Sequence, residues 1–308
     1  LMLTAVLSLI LGMGLPTTAN YIVVSSLLAP VVVTLGQESG LIVPLIAVHL
    51  FVFYFGIMAD VTPPVGLASF AAAAVSGGDP IRTGFVAFNY SMRTAVLPFL
   101  FIFNTDLLLI NVTWLQGIMV FIVATVAILI FTAATQGFLI VRNRWYESAM
   151  LILIAFSLFR PGFWMDQMVS PHKQIAPTEL VQTADSMVAG TELRLWIQGE
   201  DAVGDDRSFM ASMVLGEGTD GASRLDSAGL ALLTNNGKTV VDYVGFDSPA
   251  EKAGLAFDQV ITAVDVPQAQ PAKEWIYIPA LAIFALIILL QRRRKKPSVV
   301  ITNPVNAS

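Results

Sequence analysis

The 308 residues are 56% hydrophobic and 13% charged with a formal charge of −5, a balance that belongs to a polytopic membrane protein and not to a soluble domain. Cysteine is absent, which excludes disulfides, thiol catalysis and Cys-based metal sites; the two histidines, His49 and His172, are too scattered for a zinc-protease pair. Residues 161–275 hold 17 acids against 7 bases and the rest of the chain 5 against 10, so an acidic, water-exposed insert interrupts the apolar chain. The single basic cluster, 292–296, directly follows an apolar span and reads as a topology signal; nucleic-acid binding has no support.

Residues 1–11 read as the end of a membrane helix, and because the chain starts inside that apolar run, it is expected to be the later part of a longer protein. Residues 12–24, Gly-Met-Gly-Leu-Pro-Thr-Thr-Ala-Asn-Tyr-Ile-Val-Val, set two glycines, a proline and small polar side chains between two apolar segments, a first helix break. The stretch 19–35 is apolar enough to continue across or partway into the bilayer, 36–40 is a turn, and 41–59 is the next span. It meets a second break, Asp60-Val-Thr-Pro-Pro-Val-Gly66, and resumes as a small-residue helix at 67–75. After a loop at 76–80, the long apolar stretch 83–110 carries Asn89, Arg93, Pro98 and Asn104. Residues 114–141 form a clear span ended by Arg142-Asn-Arg144, and 145–159 a shorter one closed by Arg160-Pro-Gly162. Residues 163–274 are polar and acidic with alternating stretches at 191–198 and 238–244, which predicts a small β-rich domain. A last apolar helix spans 276–290, with Trp275 and Tyr277 at interface positions. The positive-inside rule then puts the tail 292–308 and the Arg142/Arg144 loop in the cytoplasm and the acidic domain outside.

In hydrocarbon an unpartnered backbone polar group is expensive, so non-helical backbone at membrane depth persists only where it is buried in protein or lines a wet cavity. Pro16, Pro63 and Pro64 have no amide and free the carbonyls of Gly12, Ala59 and Asp60, which are oxygen ligands for a hard cation. Thr17, Thr18, Asn20 and Ser25 add side-chain oxygens at the first break, Asp60 and Thr62 at the second. Interrupted helices that meet near the midplane form the ion and substrate sites of many secondary transporters. A structural reading stays open beside this one, because small residues and proline kinks also line ordinary helix contacts in membranes. Asp60 is the sharper residue, as an ionisable group in an apolar segment, with an interface position or an ion pair with Arg93 as its alternatives. His49 reads as a packed, hydrogen-bonded residue, and Asp106 and Glu38 as loop or interface charges.

Gly12-Met-Gly-Leu-Pro-Thr-Thr-Ala-Asn-Tyr21, then Leu28-Ala-Pro30, Leu35-Gly36 and Ala59-Asp-Val-Thr-Pro-Pro-Val-Gly-Leu67, resemble the second half of the large membrane subunit of tripartite ATP-independent periplasmic (TRAP) transporters, most of all the fused permeases that work with TAXI-type receptors. The resemblance covers residues 1–110. It implies an elevator-type, sodium-coupled importer of the bacterial inner membrane that takes a small solute, often an organic acid, from a periplasmic receptor and needs no cofactor beyond the coupling Na+. Carried over by position, the substrate and ion site would be Gly12, Gly14, Pro16, Thr17, Thr18, Asn20, Asp60, Thr62, Pro63, Pro64 and Gly66, with sodium held by Thr17, Thr18, Asp60 and Thr62. The family's first half, with its own re-entrant hairpin, is not in the chain and is expected as a partner or a preceding segment. The outer domain has a second resemblance: Gly229-Leu-Ala-Leu232, Asp247-Ser-Pro-Ala-Glu-Lys-Ala-Gly-Leu255 and Asp258-Gln-Val-Ile261 are similar to a PDZ module, in which Gly229, Leu230, Ala231 and Leu232 would be the carboxylate loop. Phe257 stands where a Gly is expected and little chain follows Val266, which favours a structural or receptor-docking module over a peptide binder.

The expected organisation is therefore a polytopic α-helical membrane protein with broken helices and a re-entrant hairpin, plus a PDZ-like domain. It divides into half a transport domain (1–110), membrane helices (111–162), the extracytoplasmic domain (163–274), a final helix (275–291) and a basic tail (292–308). The rival reading is a membrane-anchored envelope protein whose spans merely present the outer domain. Proteolysis is disfavoured, because neither His-Glu-x-x-His nor a Ser/His/Asp set is present.

Overall fold

The computed structural model describes residues 1–110, 112–200, 206–235 and 237–294. In chain order the helices α1 (Met2–Gly12), α2 (Thr17–Glu38), α3 (Leu45–Met58), α4 (Leu67–Ser76), α5 (Pro80–Ser91), α6 (Val96–Phe103), α7 (Trp114–Gln136), α8 (Trp145–Phe159) and α9 (Gly162–Met168) come first. Strand β1 (His172–Ile175), α10 (Leu180–Ser186), β2 (Glu192–Glu200), β3 (Asp206–Val214) and α11 (Gly221–Ser227) follow. The chain then forms β4 (Leu230–Asn235), β5 (Lys238–Val244), α12 (Pro249–Lys252), β6 (Val260–Pro267) and α13 (Tyr277–Arg294). Four helical segments are long and apolar enough to cross a membrane, Thr17–Glu38, Pro80–Phe103, Trp114–Gln136 and Lys273–Arg294, or five if the bent pair α8 and α9 is one span. Together with the shorter apolar helices α1, α3 and α4, they make a multi-pass membrane protein.

Two compact units emerge, Leu1–Leu108 with Met165–Gln270, and Leu109–Trp164 with residues 271–294. In the first unit, Pro16 is extended (ψ 145°) and starts α2, whose 22 residues continue through Pro30. Residues 36–38, expected in a turn, are still helical; the helix ends only where Gly40 adopts φ +73° and Leu41 N–H returns to the Gly36 carbonyl at 2.8 Å. Pro44, extended at ψ 135°, delays α3 to Leu45. The stretch 83–110 is two helices and not one: residues 92–95 form a turn that puts Arg93 at the join. Phe51 anchors this part of the core, edge-on to Phe99 at 5.0 Å and against Phe55 at 4.9 Å, with Ala47, Val48 and Ile102 around it.

The acidic insert folds into an antiparallel sheet of order β3-β2-β6-β5-β4, with β1 paired along the remaining part of β6. The expected strands at 191–198 and 238–244 are β2 and β5. Alternation puts Leu193, Leu195 and Ile197 of β2, with Ala211 and Met213 of β3, on one face, closed by Leu180 and Ala184 of α10 and Leu225 of α11. Burial of each such large side chain contributes about 1.5–3 kcal/mol. Gly229, at φ +80°, turns the chain into β4, so Leu230, Ala231 and Leu232 begin a strand at the sheet edge.

The second unit packs α7, α8 and α13. Gly137 (φ +69°) ends α7 at Gln136, five residues before the expected end of that span, and the chain returns through a Phe138–Arg142 bridge. A closed polar network holds this return. Gln291, fully buried, accepts from Ile140 N–H at 3.1 Å and Val141 N–H at 3.4 Å and donates to Asn143 at 2.9 Å and Glu147 at 3.0 Å. Buried Glu147 also accepts from Arg144 N–H at 2.8 Å and from the Arg294 guanidinium at 2.9 Å. Arg292, Arg293 and Arg294 form the last turn of α13; Lys295, Lys296 and the rest of the basic tail lie outside the described residues.

Candidate functional site

Both helix breaks open onto one cleft of about 560 Å³. Gly12, Met13, Gly14, Leu15, Pro16 and Thr17 line it from the first break, Ala59, Asp60, Val65, Leu67 and Ala68 from the second. What brings the breaks together is the lack of side chains. A Cβ on Gly12 would lie 2.7 Å from the Ala59 Cβ and 2.8 Å from Asn20 Nδ2; one on Gly56 would lie 2.7 Å from the same nitrogen. Asn20 is thus wedged between α1 and α3, fully buried, with Nδ2 donating to the Ser8 carbonyl at 3.3 Å. Its Oδ1 is buried and without a hydrogen-bond partner among the described residues.

The second break is held from inside. Thr62 is buried and its hydroxyl donates to the Met58 carbonyl at 2.6 Å, while its amide reaches the Ala59 carbonyl at 3.1 Å. This corrects one expectation: of the three carbonyls that proline was to free, that of Ala59 is taken by a tightened last turn. Pro16 and Pro64 have no amide with which to reach the Gly12 and Asp60 carbonyls. Ser69 Oγ closes on the Val61 carbonyl at 3.3 Å. Gly66, at φ +35°, starts α4 with its amide on the Thr62 carbonyl and its own carbonyl on Phe70 N–H, both at 3.0 Å. Pro63 and Pro64 are joined by a cis bond, and Pro63 packs on α5, where a Cβ on Gly84 would come within 3.2 Å of Pro63 Cγ.

Of the residues expected in the site, Gly12, Gly14, Pro16, Thr17 and Asp60 line the cleft. Thr18, Asn20, Thr62, Pro63, Pro64 and Gly66 are not among the lining residues; Thr18 is exposed, and Asn20 and Thr62 pack behind the breaks. The cleft also receives two helix starts, Thr17 of α2 and Leu67 of α4, whose first-turn amides have no intrahelical acceptor and carry partial positive charge. Asp60 is half-buried and lines the same cleft as those donors. No group of three His, Cys, Asp or Glu that could hold a metal ion lies among the described residues, so the oxygen donors here are carbonyls, hydroxyls and one carboxylate. Outside the cleft, His49 is bonded to the Tyr21 hydroxyl at 2.9 Å, Arg93 lies over the Tyr90 ring at 4.8 Å, and Glu38 pairs with Arg207 at 2.9 Å.

Sequence reasoning missed Gly56 and Ser8, the two positions that seat Asn20. A glycine inside the apolar stretch 41–59 was the available signal for the first; for Ser8 there was none, since its contribution is a backbone carbonyl. Two family models match the chain: Tripartite ATP-independent periplasmic transporter, DctM component, over residues 1–115, and Domain of unknown function (DUF3394), over residues 117–297. No curated protein and no solved structure matches it.

Proposed function

The chain belongs to the DUF3394 family and its first 115 residues are a DctM component domain, and from that premise we propose that this TRAP permease component is half of a sodium-coupled importer of organic acids. The observation that carries the reading is the shared cleft, which two helix starts and Asp60 line together, with Asn20 Oδ1 buried behind the first break and without a hydrogen-bond partner among the described residues. The α2 and α4 amides bind the solute carboxylate, as helix starts do in broken-helix transporters. Sodium is held at the wall of the cleft, by oxygens of Asp60 and Thr17 that line it and of Asn20 and Thr62 packed behind the breaks, with the Gly12 and Asp60 carbonyls. Coupling then follows from charge. Two carboxylates about 4 Å apart repel by roughly 4 kcal/mol at an effective dielectric of about 20. The solute therefore enters well only after a cation has neutralised Asp60.

The other half of the cavity, the family's first half, completes the site. A periplasmic receptor of the TAXI type delivers the solute. The protein sits in a bacterial inner membrane, with the Arg142/Arg144 return and the end of α13 on the cytoplasmic side and the sheet domain outside. The β4–β5 hairpin, α12 and β6 follow the strand and helix order expected of a PDZ-like module, and the edge position of β4 supports receptor docking there. The test is thermal unfolding of the purified chain in detergent at constant ionic strength. NaCl should raise the midpoint above that in KCl, and Asp60→Asn should remove the difference. An equal midpoint in both salts, together with sodium-independent uptake of labelled short-chain organic acids by the whole permease and its receptor, would sink the proposal and favour a membrane-anchored binding protein.

A further inference from the structure

The first unit joins two parts of different character, the broken helices and the acidic sheet domain, at the turn between α2 and α3. Trp196 of β2 and Met210 of β3 are paired across the sheet on the face opposite its core, and Met210 is nonetheless only 4% exposed. Gly40 covers them: a Cβ there would stand 2.9 Å from Trp196 Cη2 and 3.5 Å from Met210 Cε, and the left-handed φ of +73° independently demands glycine. The indole N–H donates to Asp265 Oδ2 at 3.2 Å, which fixes the ring against the turn. Beside it, Arg207 Nε of β3 donates to Glu38 Oε1 at 2.9 Å, with the guanidinium over the Phe209 ring.

We propose that Trp196, Met210 and Arg207 form a latch through which the sheet domain controls the α1–α2 hairpin. The two ends of α2 are the two ends of the lever. Glu38 and Gly40 are gripped by the sheet, whereas Thr17 and the preceding tip line the cleft, about 33 Å away at the rise of an α-helix. A rigid helix held at one end restricts what its other end can do, so release of the latch frees the hairpin tip. The inference does not depend on what the cleft carries.

Because the chain has no cysteine, Met13→Cys at the tip gives a single thiol in the cleft, and its rate of labelling by a small maleimide reads tip opening in membrane-inserted protein. Trp196→Ala should speed labelling roughly tenfold, as loss of a packed aromatic warrants. Arg207→Glu or Glu38→Arg alone should speed it about three- to fivefold, the scale of a partly exposed ion pair, and the double swap should restore the original rate. A rate unchanged by Arg207→Glu and Glu38→Arg, or a double swap that fails to restore it, overturns the latch even if Trp196→Ala does not fold. Sodium-dependent stabilisation of the same variants is a separate readout, so failure here and failure of the transport reading are told apart.

Discussion

The two places where this chain puts polar groups among apolar helices have opposite chemistry. Around Gln291, each donor and acceptor of the side-chain amide is matched, and Glu147 gathers a backbone amide, a side-chain amide and a guanidinium. Around the cleft, Asn20 Oδ1, buried behind the first break, has no partner among the described residues, Pro16 and Pro64 cannot return to Gly12 and Asp60, and two helix starts line the opening. A closed network fixes a structure, while an open one holds binding capacity in reserve.

The comparison breaks most easily at Glu147. Glu147→Ala takes the carboxylate from Arg294 and one acceptor from the Gln291 amide, leaving the guanidinium with the Arg142 carbonyl and no counter-charge in this network, and should destabilise by about 3–5 kcal/mol, read as a loss of the folded species in denaturant unfolding in detergent. Gln291→Leu keeps the volume but strands the Ile140 and Val141 amides, so about 2–3 kcal/mol is expected in the same assay. In the other region, Gly56→Val drives a side chain into Asn20, with a loss of about 1–3 kcal/mol and a lower sodium response. Asn20→Ala sharpens the contrast: it removes one long hydrogen bond but also an unpartnered oxygen, so stability should change by less than about 1 kcal/mol while sodium stabilisation is lost. If Asn20→Ala destabilised as much as Gln291→Leu, the cleft would be another structural joint.

The smallest effect lies in the sheet domain. Burial, with Arg194 nearby, lowers the His172 pKa against the pull of Asp265, Glu192 and Asp166. The unfolded chain therefore takes up the proton first, and stability is full above the unfolded value of about 6.5 and declines as pH falls through it toward the folded value. His172→Gln should shrink the difference in melting temperature between about pH 7.5 and 5.5, on either side of that value.

How much of this was legible in the sequence follows the range of the interactions. Proline and glycine act on their own backbone, so both breaks and the helix boundary near Pro80 could be read locally, as could the strand at 238–244 from its alternation, whereas the end of α7 at Gly137 comes five residues before the expected one. That the breaks share a cleft depends on Gly12, Gly56 and Ala59 leaving room for Asn20, a packing fact no local pattern carries. Arg93 falls at a helix join because residues 92–95 turn, which the continuous hydropathy of 83–110 hides. The Gln291 network was invisible for a plainer reason: a glutamine before an arginine run looks like the end of a span, and its partners are up to 151 residues away.

That separation has a consequence for how the protein is made. Glu147 is translated 144 residues before Gln291, so at about 5–20 residues per second the ribosome needs roughly 7–30 s to supply its partners. During that interval α8 presents a carboxylate that only the Arg144 amide and water can satisfy. Arrival of α13 fastens a helix laid down long before, and a copy halted short of it would keep the Glu147 carboxylate without its guanidinium.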